Sequence, residues 1–196
     1  MLWVNYIENL DVLLRSMSVR IGDGELETDK AIALLVKQTM RVRENRRTVF
    51  LIGNGASASM ASHVAADLAK NARLHTEVFS DLSLITAIAN DMSYEEVFAE
   101  PLRRRMKEGD MLVAISSSGQ SANVLRAVQE AKNIGGFVVT LSAMRPENTL
   151  RSRGHLNFYV PAGTYGIAET CHAAILHHWI DKMVVFVNKH EKEKNE

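Results

Sequence analysis

A cluster of hydroxyl side chains marks the middle of the chain. An apolar run at 111–115 ends there, and a helical pattern begins just beyond Gly119. Four serines fill the junction: Ser116, Ser117, Ser118 and Ser121. A helix N-terminus offers unpaired backbone N–H groups and a partial positive charge, and short hydroxyls can donate hydrogen bonds beside them. A serine-capped turn would account for one of these hydroxyls. Four within six residues favour a site for a phosphate-sized anion.

A second loop, Gly53-Asn54-Gly55-Ala56-Ser57, follows another apolar run. It fails as a dinucleotide fingerprint, which needs a glycine where the chain has Ala58, and it lacks the Gly-Lys-Ser/Thr of a P-loop. Its glycines allow the backbone to approach a small ligand, and Asn54 and Ser57 supply hydrogen-bonding groups. The loop therefore favours a ligand of phosphosugar size over a nucleotide.

Two pairs of histidine and carboxylate lie on predicted helices beside these loops. His63 and Asp67 are one turn apart and share a helix face. Glu169 and His177 are two turns apart and about 80° out of register, so both can face one cleft. Imidazole and carboxylate together suit a divalent metal or an acid–base pair. The alternative for the first pair is a core histidine and an Asp67–Lys70 ion pair, but the two pairs together favour a metal or acid–base site.

Short apolar segments alternate with helical periodicity from residue 48 onward. This order predicts a three-layer α/β fold, with a parallel sheet of about five strands, right-handed crossovers and helices on both faces. Ligands of such sheets bind outside the carboxyl ends of the strands, where both loops lie. We expect one domain, with an N-terminal helical hairpin at 1–47, an α/β core at 48–188 and a charged tail at 189–196. A partner subunit could bury the apolar stripes of the hairpin.

The composition limits which binding partners and which cellular compartment are expected. The chain has 23 basic and 23 acidic residues and no net charge, so nucleic acid and anionic membranes are not expected as partners. No apolar run approaches the ~20 residues that span a bilayer, and the first segment is too polar for a signal peptide. The single cysteine, Cys171, excludes an internal disulfide and fits a reducing compartment. We expect a cytoplasmic protein.

Taken together, the motifs resemble those of the sugar isomerase (SIS) domain family, and within it the phosphoheptose isomerases, which act on sedoheptulose 7-phosphate. The resemblance spans the chain and rests on GNGASAS with HVAAD, IANDMSYEEVF, ISSSGQSANVL and ETCHAAILHH. It implies an aldose/ketose phosphate isomerase that works through an enediolate and supplies lipopolysaccharide or capsule precursors. It also implies a homotetramer built around the N-terminal helices, with a dimer as the alternative.

The resemblance implies roles for individual residues as well. Substrate and phosphate binding falls on Asn54, Ser57, Asp91, Ser116, Ser117, Ser118, Ser121 and Glu169. A divalent metal, zinc in the family, falls on His63, Asp67, Glu169 and His177. The acid–base pair would be Asp67 and His177.

The chain departs from the family pattern near these residues. Family members typically carry Glu at Asp67 and Gln at Glu169, so this chain has a shorter first carboxylate and an added negative charge. Two carboxylates and two histidines would balance the charge of a divalent cation. Gly166-Ile167 replaces a common Asp-Arg pair, and Asn71 replaces an arginine. The loss of these polar groups near the sugar affects which sugar is bound more than it affects the class of reaction. The alternative is a SIS-fold module that binds a phosphosugar or a replication initiator without catalysis.

Overall fold

A computed structural model describes residues 2–22 and 24–195. Its strands are β1 Ser18–Ile21, β2 Gly24–Leu26, β3 Thr48–Gly53, β4 His75–Val78, β5 Met111–Ser116, β6 Phe137–Ala143 and β7 Leu156–Val160. Its helices are α1 Trp3–Arg15, α2 Thr28–Glu44, α3 Ala56–Ala72, α4 Leu82–Asp91, α5 Glu96–Arg105, α6 Ala122–Ile134 and α7 Tyr165–Asn195, with a 3-10 turn at Thr149–Ser152. The segment from 189 to 195, expected as a tail, continues α7.

The strands form one sheet in the order β2-β1-β7-β6-β5-β3-β4. The five strands from β7 to β4 are parallel, which confirms the predicted α/β class. Two further strands correct the predicted count, because β1 and β2 form an antiparallel hairpin that pairs with β7. The N-terminal helices are therefore separated by a β-hairpin and do not form a helical hairpin. Val19 of β1 is buried, so the added hairpin extends the core as well as the sheet.

Helices cover both faces of the sheet, as the three-layer prediction requires. Successive residues of β3 alternate between two apolar clusters: Leu51 packs in the layer of α2, α3 and α7, whereas Phe50 and Ile52 pack in the layer of α5 and α6. Every residue of β5 is buried, which is the expected state of a central parallel strand. On the α7 side, the indole Nε1 of buried Trp179 donates to Thr39 Oγ1 at 3.1 Å.

The first helix contributes no fully buried side chain to the core. No residue of α1 is buried, and Trp3 is 75% exposed. Its contact with α7 includes Tyr6 and Thr170, whose hydroxyl oxygens are 3.5 Å apart. Within the described residues, no helix combines the length and the apolar character that crossing a membrane requires.

Candidate functional site

The sheet places the two loops found in the sequence side by side. Strands β3 and β5 are parallel neighbours, with Gly53 in register with Ile115. The loops at 53–57 and 116–121 therefore leave the same carboxyl edge of the sheet, and each leads directly into a helix. This is where an open α/β sheet binds its ligands.

Three glycines in these loops are required by the backbone geometry. Gly55 has φ +56° and ψ −125°, a conformation that is strained for residues with a Cβ atom. A Cβ on Gly53 would lie 2.6 Å from the Cβ of Ser57. Gly119 has φ +62°, and a Cβ there would lie 1.9 Å from the Oδ1 atom of Asn148. Both loops are therefore folded tightly against their surroundings, which fixes the polar groups they carry.

A cavity of about 180 Å³ lies between the loops and the first turns of α7. It is lined by Asn54, Ser57, Ile115, Ser116, Ser117, Ser118, Ser121, Tyr165 and Glu169. All four serines of the predicted cradle are in this wall, together with both polar residues of the first loop. The geometry brings these predicted binding residues together around one small space.

The serine at the start of α6 is not used as a helix cap, although Ser118 Oγ accepts a local hydrogen bond of 3.3 Å from the backbone N–H of Gln120. Ser121 occupies the N-cap position of α6, yet its side chain makes no capping hydrogen bond. Its Oγ lies instead 3.2 Å from Ser116 Oγ. The Oγ of Ser117 is buried without a hydrogen-bond partner in the described chain, a state that is costly unless a ligand or water completes it. These observations favour the anion-site interpretation over the serine-capped turn.

Farther along the two helices whose first turns line the cavity, α3 and α7 bring three predicted metal or acid–base residues together. The Nε2 atom of His63 lies 3.4 Å from Asp67 Oδ2. The rings of His63 and His177 meet edge to face, with centroids 5.3 Å apart. One candidate ligand atom from each of the three residues lies within 4.8 Å of the others. Two nitrogens and one carboxylate oxygen could hold a divalent metal and leave a position open to a ligand.

The surroundings of this group contradict the alternative of a core histidine. The side chain of His63 is 59% exposed, while that of Asp67 is partly buried. Asp67 contacts His63 and also Asn71, whose Nδ2 lies 3.5 Å from its Oδ1. The pair therefore projects from α3 toward α7 and the solvent.

Two other predicted residues lie outside the group of three. Glu169 is half-buried in the wall of the serine cavity, two turns before His177 on α7. Asp91 is exposed at the end of α4, where it accepts a hydrogen bond of 2.8 Å from Asn90 Nδ2. It is not among the residues that line the cavity.

The structure adds residues that the sequence did not single out. Asn123 is buried in the first turn of α6 and exchanges two hydrogen bonds with Asn54, while the hydroxyl of Tyr94 donates to Asn54 Oδ1 at 3.3 Å. Tyr165 lines the cavity. Serine and asparagine in a first helical turn resemble ordinary capping, so only the position of Asn123 just after the serine cluster could have drawn attention to it.

A fully buried histidine lies one turn beyond Glu169 on α7. The Nε2 atom of His172 is 3.2 Å from the carbonyl oxygen of Ser142. Burial lowers the pKa of His172 to about 4, so the ring is neutral at pH 7 and donates from Nε2. The next backbone N–H, that of Ala143, donates to the carbonyl of Ser117 at 3.0 Å. One peptide unit of β6 thus links α7 to the serine loop.

Comparison with known proteins identifies the family of the chain. The SIS domain family model matches residues 9–143. The chain is 36% identical over 159 residues to a phosphoheptose isomerase of Helicobacter pylori (strain Shi470), covering 78% of this chain and 80% of that one. It is 35% identical over 157 residues to a phosphoheptose isomerase of Chlorobaculum parvum, covering 75% and 73%. A solved phosphoheptose isomerase from Francisella tularensis has the same fold, with a TM-score of 0.77 at 24% identity over 93% of this chain and 98% of that one. The chain belongs to the SIS domain family and, within it, to the phosphoheptose isomerases.

Proposed function

We propose that the chain converts sedoheptulose 7-phosphate into an aldose heptose 7-phosphate. The chain is an isomerase by its family membership, and we take its substrate to be the sedoheptulose 7-phosphate of that family. The observation that carries the proposal is the convergence of Asp67 and His177 on the two helices that begin at the serine cavity. His177 lies about 12 Å along α7 from Glu169 in the cavity wall, a separation that suits a proton-transfer pair acting on C1 and C2 of a sugar whose phosphate is on C7. The proposal also assigns the reaction to the cytoplasm and to lipopolysaccharide or capsule precursor synthesis, as the resemblance implies.

In this proposal the serine loop anchors the phosphate of the open-chain sugar. Its hydroxyls and the N-terminus of α6 supply donors and a partial positive charge at the cavity. The unpartnered hydroxyl of Ser117 is a donor already desolvated in the wall. Glu169 and Asp91 would contact sugar hydroxyls. For Glu169 the support is its position in the wall, whereas Asp91 is carried over from the family motif.

Proton transfer would fall to Asp67 and His177. One takes the proton from C1 of the ketose, which leaves an enediolate, and the other returns a proton to C2 while the hydroxyl proton passes from O1 to O2. His63, 3.4 Å from Asp67, would orient that carboxylate. C1 of the open-chain sugar must then lie within about 3 Å of one group and C2 within about 3 Å of the other.

A divalent metal, which we propose to be zinc, would be held by His63, Asp67 and His177, with Glu169 as a further ligand. The convergence of three donor atoms within 4.8 Å supports the first three. For Glu169 the support is its place two turns before His177 on the same helix. When bound, the metal would polarise the carbonyl of the substrate.

We further propose that the active form is a homotetramer, with the N-terminal helices at its centre. Support comes from two apolar surfaces. One is the exposed apolar face of α1, including Trp3, Val4 and Ile7. The other is a groove of about 670 Å³ between α2 and α7, whose floor includes Ile32 and Met40. Surfaces of this kind on one chain commonly mark association with another.

The proposal is tested by substituting the proton-transfer pair. Asp67→Asn and His177→Gln should each lower turnover of sedoheptulose 7-phosphate by about 10²–10⁴-fold, while inorganic phosphate binds with unchanged affinity. His75→Gln, which changes an exposed histidine at the start of β4, is the matched control and should keep full activity. Undiminished turnover in both active-site variants would reject the assignment.

A further inference from the structure

Two asparagines join the two loops of the site. Asn54 follows β3 and lines the cavity, whereas Asn123 belongs to the first turn of α6 and is only 2% exposed. Asn54 Nδ2 donates to Asn123 Oδ1 at 2.9 Å, and Asn123 Nδ2 donates to Asn54 Oδ1 at 2.9 Å. This reciprocal pair links residues 69 positions apart, so it fixes one loop against the other.

The orientation of the pair is determined by a backbone group. A reciprocal amide pair looks the same when both amides are flipped, so the pair alone does not assign its oxygens and nitrogens. The backbone N–H of Val124 lies 3.0 Å from Asn123 Oδ1, and a backbone N–H can only donate. That atom of Asn123 must therefore be the oxygen. Its Nδ2 then faces the oxygen of Asn54.

The hydrogen bonds of the Asn54 side chain leave one of its N–H groups available to a ligand. Its Oδ1 accepts from Asn123 and from the hydroxyl of Tyr94 at 3.3 Å, which uses both lone pairs. Its Nδ2 carries two hydrogens, of which one is donated to Asn123. The remaining N–H is the only group that the Asn54 amide can offer a ligand. An amide restricted to donating suits an oxyanion, which has no proton to give.

We propose that Asn123 is a positioning residue that holds Asn54 as a donor to a phosphate oxygen of the bound sugar phosphate. This inference rests on the proposed function, because it takes the ligand of the serine cavity to be a phosphate ester. Asn123 itself is buried behind Asn54 and acts through it. Its effect is therefore on the binding of the phosphate and not on the proton transfer.

The discriminating variant is Asn123→Ser. Serine is neutral and has no amide N–H for Asn54 Oδ1, so it destroys the reciprocal pair without adding a negative charge beside the phosphate. We expect the dissociation constant of inorganic phosphate, measured by calorimetry, and the KM for sedoheptulose 7-phosphate to rise about tenfold. The kcat should stay within about twofold. Asn123→Ala serves the same purpose if the serine variant does not fold.

A double-mutant cycle separates positioning from a general structural effect. Asn54→Ala removes the donor, so Asn123→Ser should weaken phosphate binding no further in that background. Equal tenfold losses in both backgrounds, or unchanged phosphate affinity in the single variant, would overturn the inference. Because the titration uses inorganic phosphate, it needs no turnover. A chain that shows the coupling but does not isomerise the sugar would retain the positioning role and reject the proposed function.

Discussion

Lowering the pH from 7 to 5 should destabilise the fold through His172. The ring is fully buried, and its Nε2 donates to the carbonyl of Ser142. Burial lowers its pKa from 6.5 to about 4. At mildly acidic pH the histidine is therefore protonated in the unfolded chain but not in the folded chain, and this difference in proton binding favours unfolding.

The size of the effect follows from the two pKa values. Above pH 6.5 the histidine is neutral in both states and does not change the free energy of unfolding. Between pH 6.5 and about 4 the free energy of unfolding falls as the pH falls, and below about 4 this loss of stability is complete. The full loss is about 3 kcal/mol, and the part that falls between pH 7 and pH 5 is about 2 kcal/mol. That is a large share of the stability of an ordinary domain.

The assay is denaturant unfolding at pH 7 and pH 5, at one protein concentration, for the wild type and for His172→Asn. Asparagine retains an N–H donor but does not titrate, so the wild type should lose about 2 kcal/mol more than the variant over this interval. The pKa of His155 is also lowered, by burial and by Lys132, but this residue is present in both proteins and cancels. Equal losses in the two proteins would refute the assignment of the acid sensitivity to His172.

Three further outcomes are expected. Gly119→Ala should lower the free energy of unfolding by about 2 kcal/mol or more, because its Cβ would overlap the side chain of Asn148 at a positive φ; an unchanged urea midpoint would contradict this. His63→Ala should reduce bound zinc from about one per chain to a trace by elemental analysis of tag-free protein, since it removes one of three convergent ligands, and full retention of zinc would exclude the proposed site. Trp3→Ser combined with Ile7→Ser should shift sedimentation to a smaller species, because both side chains are exposed on α1, whereas Glu8→Gln should not; an unchanged assembly would remove α1 from the interface.

Much of the fold follows from local sequence patterns. The apolar run at 111–115 corresponds to β5, Met111–Ser116, because a strand buried on both faces needs a continuous apolar stretch. The hairpin of β1 and β2 could not be found in this way. Its strands have four and three residues, and its place in the sheet depends on pairing between Arg20 and Asn157, far apart in the chain. Such short segments carry little periodicity of their own.

In the candidate site, too, some contacts follow from local spacing in the sequence and others depend on tertiary packing. The spacing of His63 and Asp67 places them on one helix face, so their contact is predictable from sequence. Their meeting with His177 depends on how α3 packs on α7, which no local pattern records. The same holds for Asn123, whose partner Asn54 lies on the preceding glycine loop. Sequence thus identified the chemistry of the side chains, whereas tertiary packing decides which of them act together.

The most direct test is to incubate the tag-free protein with sedoheptulose 7-phosphate in D2O, with zinc supplied, and to analyse the sugar phosphates by NMR. Proton transfer through an enediolate predicts an aldose heptose 7-phosphate that carries deuterium at C2, formed by the wild type and not by Asp67→Asn. Recovery of unlabelled ketose alone, from protein that binds inorganic phosphate normally, would contradict the isomerase assignment.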